Sequence, residues 1–194
     1  MDQTEIINLF KETNVIQTGH FELSSGRHTD TYLQCAQILQ YPEYTNKLAV
    51  EIANLWENED IDLVVGPAIG GIVISYAVAS KMGSRNIFSE RKNGEMKFRR
   101  NLEVKENEKV LIVEDVVTTG GSVREVIDLL EDFMADIVGI SSLVDRSNGQ
   151  VEFAYTFKPL IQLKVDSYKE DECKFCKKRI PINKPGSKKV KSWI

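Results

Sequence analysis

Between residues 110 and 123 the chain reads VLIVEDVVTTGGSV. Two adjacent carboxylates, Glu114 and Asp115, precede Val116 and Val117. Two hydroxyls and two glycines follow, Thr118, Thr119, Gly120 and Gly121, with Ser122 behind them. An apolar run that passes through Gly-Gly-Ser into a helical pattern is a strand, a tight turn and a helix start. The first N–H groups of such a helix have no intrahelical acceptor, and its dipole adds positive potential. Glycines let the backbone close on an anion and the hydroxyls add donors, so residues 118–122 form a phosphate cradle. This is not a Walker-type loop, because Gly-x-x-x-x-Gly-Lys is absent. Two acids would repel a bare phosphate, so the ligand must also bring hydroxyls or Mg²⁺ to them. A sugar phosphate with a vicinal diol satisfies both halves. The plainer alternative, a helix cap beside two solvated acids, leaves carboxylates at the end of a buried strand without partners.

The elements that must hold this segment can be read from the surrounding pattern. Apolar spacing predicts a helix over 2–12 and another opened by Pro42, with Leu48, Ile52, Leu55 and Trp56 on one stripe. Strands are expected over 61–66, 86–89, 110–113, 137–144 and 161–165. An apolar helix ends near Gly83, a second spans 120–133, and residues 90–108 read as a polar loop with extended pieces. Buried strands alternating with helices predict an α/β fold with a central, mostly parallel sheet flanked by helices. Ligands of such sheets bind beyond the carboxyl ends of the strands, which singles out loops 66–71, 115–122 and 145–149.

The 194 residues are 42% hydrophobic and 28% charged, with a formal net charge of -4, as in an ordinary globular protein. A weakly acidic surface argues against nucleic acid as a partner. No apolar run approaches the roughly 20 residues needed to cross a bilayer, which argues against a membrane partner. The amphipathic, acidic N-terminus is unlike a signal peptide, so a cytoplasmic location is expected. Three cysteines, Cys35, Cys173 and Cys176, do not make a disulfide framework. The C-x-x-C at 173–176 stands alone in sequence, with His20 and His28 far away, and reads as free thiols. The alternative is a metal held between two subunits by four thiolates.

VLIVEDVVTTGGS resembles the phosphoribosyl-diphosphate motif of type I phosphoribosyltransferases. GHFELSSGR at 19–27, GPAIGG at 66–71, ERK at 90–92 and VDR at 144–146 fall in the order seen in orotate phosphoribosyltransferases. ECKFCKKRIPINKPGS at 172–187 is similar to the ending of one bacterial and archaeal branch. The resemblance covers nearly the whole chain. It implies the type I fold as a single domain over 1–194, with an N-terminal hood (1–42) and a C-terminal extension (169–194). It implies transfer of a phosphoribosyl group to orotate in pyrimidine biosynthesis. The acid pair would hold the ribose hydroxyls, and residues 116–122 would wrap the 5′-phosphate. Mg²⁺ would be bound mainly through the diphosphate, with no metal ligand directly from the protein. Thr118, Arg146, Tyr32 and Leu33 match orotate-binding positions, the last two through the hood backbone. An Arg guanidinium suits the orotate carboxylate, since it can donate two parallel hydrogen bonds. Arg91 and Lys92 match catalytic positions at the start of a mobile lid that serves the neighbouring subunit of a homodimer, and Asp115 completes the catalytic set.

Three departures from better-known relatives stand out. Ser24 and Gly70 replace lysines, and Glu95 and Lys97 stand where a lid lysine and histidine are found. Lys97, Arg99 and Arg100 are the candidates to take over those contacts. Two other readings keep the ribose-phosphate motif: a purine phosphoribosyltransferase, and a non-catalytic regulator that binds phosphoribosyl diphosphate.

Overall fold

The computed structural model describes residues 1–23 and 25–185. Ser24, one of the departures above, and the last stretch of the extension, 186–194, lie outside the described residues. Helix α1 (Gln3–Glu12) starts on a capping box: Asp2 accepts from the Glu5 N–H and Glu5 from the Asp2 N–H, each at 2.8 Å. Strands β1 (Ile16–Glu22) and β2 (His28–Leu33) then pair antiparallel. The short α2 (Ala36–Leu39) leads to α3 (Pro42–Leu55), whose proline sits in the first turn where no N–H is needed.

The central sheet is built from β3 (Leu63–Pro67), β4 (Arg85–Lys92), β5 (Glu95–Phe98), β6 (Lys109–Val117), β7 (Asp136–Asp145) and β8 (Phe157–Gln162). Its order is β5-β4-β3-β6-β7-β8. Every neighbouring pair is parallel except β4 and β5. Period-two alternation sends Val64, Leu111, Val113 and Leu143 to one face, with α1, α3 and α4 (Gly70–Met82). Leu63, Val65, Val110, Ile112 and Ile140 go to the other face, under α5 (Gly121–Asp132). Burial on both faces explains why these strands read as unbroken apolar runs. The predicted α/β class with a mostly parallel sheet is the observed one.

One expectation needs correction. Strand β6 does not stop at Val113: it pairs with β7 as far as Val117 opposite Asp145, so the acid pair lies inside the strand. The extended pieces expected within 90–108 form a hairpin: β4 continues through Lys92 and turns at Asn93 and Gly94, both with positive φ, into β5.

The hood is a small sheet in its own right, which the apolar pattern did not reveal. Its third strand, β9 (Ser167–Tyr168), leads directly into the extension and pairs with β2. Arg27 donates to Ser167 Oγ at 2.8 Å, and Lys174 pairs with Asp30 at 2.9 Å. Beyond α6 (Lys174–Lys177), the Asn183 N–H donates to the His20 carbonyl at 2.7 Å. The extension therefore clamps both sides of the hood, and it carries Cys173 and Cys176 to His20 and His28. The C-x-x-C does not stand alone.

Candidate active site

The carboxyl ends of β3, β6 and β7 lie at one edge of the parallel sheet. Glu114 points into the protein and is 7% exposed, with Oε1 accepting from the Asp115 N–H at 3.1 Å. Burial, with the neighbouring Asp115 charge, pushes its carboxyl well above the usual carboxylate range. Asp115 accepts from the Val116 N–H at 2.8 Å and borders a cleft of about 400 Å³ with Gln34, Ile69, Gly70 and Val73. Cys35 is buried beneath, its Sγ 4.0 Å from the Asp115 carbonyl.

Two glycines let α4 approach the acid pair. A Cβ on Gly70 would lie 2.5 Å from Asp115 Oδ1. One on Gly71 would lie 2.9 Å from the Val113 carbonyl and 3.2 Å from Glu114 Oε1. At Gly70, where the resemblance places a lysine, the Asp115 carboxylate occupies the space a side chain would enter.

Past Val117 the chain turns through Thr118 and Thr119 to Gly120, which adopts φ +75° at the start of α5. A Cβ there would meet Arg124 Nη1 and Val151 Cγ1 at 2.9 Å. No side chain caps α5, so the N–H groups of Gly121, Ser122 and the next residue remain open to an anion. Arg124 fixes the outside of this loop. It donates to the Thr119 carbonyl at 2.6 Å and to the Glu152 carbonyl at 3.0 Å, and its guanidinium lies 5.3 Å from the Phe153 ring centroid. Sequence reasoning passed over Arg124, because a cation in the first turns of an amphipathic helix reads as a solvated charge.

Arg146 follows β7, and its N–H donates to the Val117 carbonyl at 2.8 Å. Its side chain is half-buried, and burial lowers the guanidinium from its ordinary value while nearby Tyr32 acts in the opposite sense. No carboxylate pairs with it among the described residues. Tyr32 leans on Phe21 at 5.6 Å between centroids. Tyr32, in the hood, is near enough to Arg146 to act on its charge. The Leu33 side chain is buried in the core, so only its backbone can serve a ligand.

The hairpin cations are engaged with acids of their own chain. Arg91 pairs with Glu125 of α5 at 2.8 Å, Lys97 with Glu95 at 2.6 Å, and Arg99 and Arg100 with Glu90 at 3.4 and 3.1 Å. Lys92 lies exposed opposite Glu95. No described contact links Arg91 or Lys92 to Glu114 or Asp115. Exposed pairs of this kind hold by about 0–1 kcal/mol each, so a diphosphate can displace them.

Comparison with known proteins gives this arrangement a family. Residues 34–172 match the model of the phosphoribosyl transferase domain, a span that leaves out His20, His28, Cys173 and Cys176. Orotate phosphoribosyltransferase of Thermoanaerobacter sp. strain X514 is 50% identical over 97% of this chain and 100% of its own length. Among solved structures, orotate phosphoribosyltransferase from Aeropyrum pernix superposes with a TM-score of 0.69 at 20% identity, over 81% of this chain and 93% of that one. Adenine phosphoribosyltransferase from Thermoanaerobacter pseudethanolicus gives 0.67 at 16% identity, over 80% and 99%. The fold is common to enzymes with different bases and does not choose among them, whereas near-full-length identity does. The chain belongs to the phosphoribosyltransferase family, in its orotate phosphoribosyltransferase branch.

Proposed function

We propose that the chain transfers the 5-phosphoribosyl group of phosphoribosyl diphosphate to orotate, giving orotidine 5′-monophosphate and diphosphate. The choice of base rests on near-full-length identity to orotate phosphoribosyltransferases, and Arg146 supports it. A half-buried guanidinium without a carboxylate partner among the described residues suits a planar carboxylated ring. A purine offers no carboxylate to it.

In this reading Glu114 and Asp115 accept the ribose 2′- and 3′-hydroxyls. Val116 and Val117 bring the strand to the loop where Thr118, Thr119, Gly120, Gly121 and Ser122 enclose the 5′-phosphate. Thr118 also reaches orotate. As the C1–O bond loosens, its electrons leave with the diphosphate, the ribose gains oxocarbenium character, and N1 of orotate, losing its proton, bonds to C1. Asp115 lies on the ribose side, where its charge favours the cation. Arg91 and Lys92, released from acids such as Glu125, stabilise the departing diphosphate in a closed site.

The Glu114 and Asp115 carboxylates are oxygen donors of the kind Mg²⁺ prefers, so they suit an ion carried by the substrate. When bound, Mg²⁺ would neutralise diphosphate charge. Residues 1–194 act as one unit in this scheme, with the hood forming a wall of the orotate pocket. A homodimer is supported by an apolar stripe beside the cleft: Ile69, just before α4, and Val73 and Tyr76 on it are 86%, 46% and 68% exposed. Among the described residues, no helix is long and apolar enough to cross a membrane.

The test is orotate consumption with phosphoribosyl diphosphate and Mg²⁺. Magnesium-dependent loss of orotate is expected; consumption of adenine in its place would overturn the reading. In Arg91→Ala, kcat should fall about 100-fold or more while orotate affinity holds, since one well-placed donor is worth roughly 3–4 kcal/mol in the transition state. Equal losses in both would remove Arg91 from the lid role.

A further inference from the structure

His20, His28, Cys173 and Cys176 place one donor atom each within 4.8 Å of one another. His20 Nε2 lies 3.0 Å from His28 Nδ1, 3.5 Å from Cys173 Sγ and 3.7 Å from Cys176 Sγ, and Cys176 Sγ lies 3.2 Å from His28 Nδ1. Around a tetrahedral zinc, with Zn–N of about 2.0–2.1 Å and Zn–S of about 2.3 Å, the edges are roughly 3.3 Å between nitrogens, 3.6 Å from nitrogen to sulfur and 3.8 Å between sulfurs. The observed distances scatter about those edges. His20, His28 and Cys173 are 4%, 5% and 0% exposed and Cys176 is partly buried, so most of the group is withdrawn from solvent, as in structural sites.

Hydrogen bonding within the cluster does not account for it. The Ile180 carbonyl lies 2.8 Å from His20 Nδ1, and a carbonyl only accepts, so Nδ1 carries the proton. His20 Nε2 then has a single lone pair, yet three donor atoms crowd it. A carbonyl that accepts from the far ring nitrogen and so fixes the tautomer is what a metal-bound histidine requires. Local structure aims the other groups too. A β-bulge between Thr18 and Phe21 turns both His20 and Phe21 inward, and α6 sets Cys173 and Cys176 three residues apart on one side. Phe175 stacks on the His20 ring at 5.4 Å.

We propose that these four side chains bind one structural Zn²⁺ per chain and fasten the C-terminal extension to the hood. Thiolate and imidazole donors suit zinc over the oxygen-seeking Mg²⁺. All four atoms surround one point, which fits a single ion and not a two-iron cluster with its ligands split between two metals. The set is complete within one chain, so no second subunit is needed. It lies outside the domain shared across the family, which identifies it as an accessory of the hood and extension and not part of the transfer chemistry.

The experiment is elemental analysis of the full chain purified without chelator, together with a preparation grown on cobalt. One zinc per chain is expected. The cobalt form should show the d–d bands of a tetrahedral site with thiolate-to-metal charge transfer. Cys176→Ser should lose the metal and melt roughly 10 °C lower. Cys176→His should keep it, with weaker charge transfer. Should Cys176→Ser fail to fold, the native cobalt spectrum and the Cys176→His protein decide. A folded chain without metal, or one with a Cys173–Cys176 disulfide, overturns the proposal. So does half a zinc per chain that is insensitive to His20 and His28 substitution, which would point to four thiolates between subunits.

Discussion

The molecule holds two polar clusters of opposite character. At the end of β6 the groups are left open: the first N–H groups of α5, the Asp115 carboxylate beside a cleft and the Arg146 guanidinium all await partners. Between hood and extension the groups are closed on themselves, four donor atoms within 4.8 Å, three of the residues buried and Cys176 partly so. The open cluster suits a ligand that arrives, reacts and leaves; the closed one suits an ion that stays. The same difference separates catalytic from structural metal sites. It also implies that damage should separate. Changes in the open cluster should cost chemistry and leave the fold, whereas changes in the closed one should cost the fold first.

The largest separation is expected from Arg146→Ala. Truncating one partner of a desolvated charge pair costs about 2–5 kcal/mol, so kcat/KM for orotate should drop by about 10²–10³. Phosphoribosyl-diphosphate affinity and melting temperature should stay within about 2-fold and about 2 °C. A large loss of melting temperature would break the comparison, because it would make Arg146 a packing residue.

Gly70→Ala comes next. Its Cβ would occupy the space 2.5 Å from Asp115 Oδ1, and the carboxylate, as the end of a side chain, would swing away. Losing a hydrogen bond to a charged group is worth about 1.5–3 kcal/mol, so kcat/KM for phosphoribosyl diphosphate should fall about 10- to 100-fold in a chain that still folds.

The smallest and most diagnostic change is Glu114→Gln. Burial and Asp115 raise the carboxyl of Glu114 above its ordinary value. Between the ordinary and the raised value the folded chain binds more protons than the unfolded chain. The contribution of Glu114 to stability is therefore fully present below the ordinary carboxylate range and is lost as pH rises through the raised value. At neutral pH the glutamine variant should melt a few degrees higher than the parent, while turnover falls about 10-fold. Melting curves taken from acid to neutral pH should converge at the acid end. If the variant were less stable at neutral pH, Glu114 would be a structural acid, and the open cluster would resemble the closed one.

How far these clusters were legible depended on how their residues lie along the chain. The acid pair, hydroxyls and glycines of residues 114–122 are contiguous, so strand, turn and helix start could be read as one device. The alternation of Leu63, Val64 and Val65 against Val110, Leu111 and Ile112 gave the buried sheet the same way. Arg146 was found only through its resemblance to a family position, since one arginine after a strand has no local signature. The hood sheet was missed because β1 and β2 are largely polar and short, and β9 has only two residues.

The sequence by itself determined the α/β class, the end of the sheet that carries the candidate site, and the strand, turn and helix start of the β6–α5 segment. All three follow from periodicity and neighbours within a dozen residues. Only the tertiary structure decided that Gly70 makes room for the Asp115 carboxylate, that Tyr32 comes near Arg146, and that His20 and His28 meet Cys173 and Cys176. The physical reason is the same each time. These contacts join segments tens to more than a hundred residues apart, brought together by strand pairing and chain reversal, and neither leaves a period in the sequence.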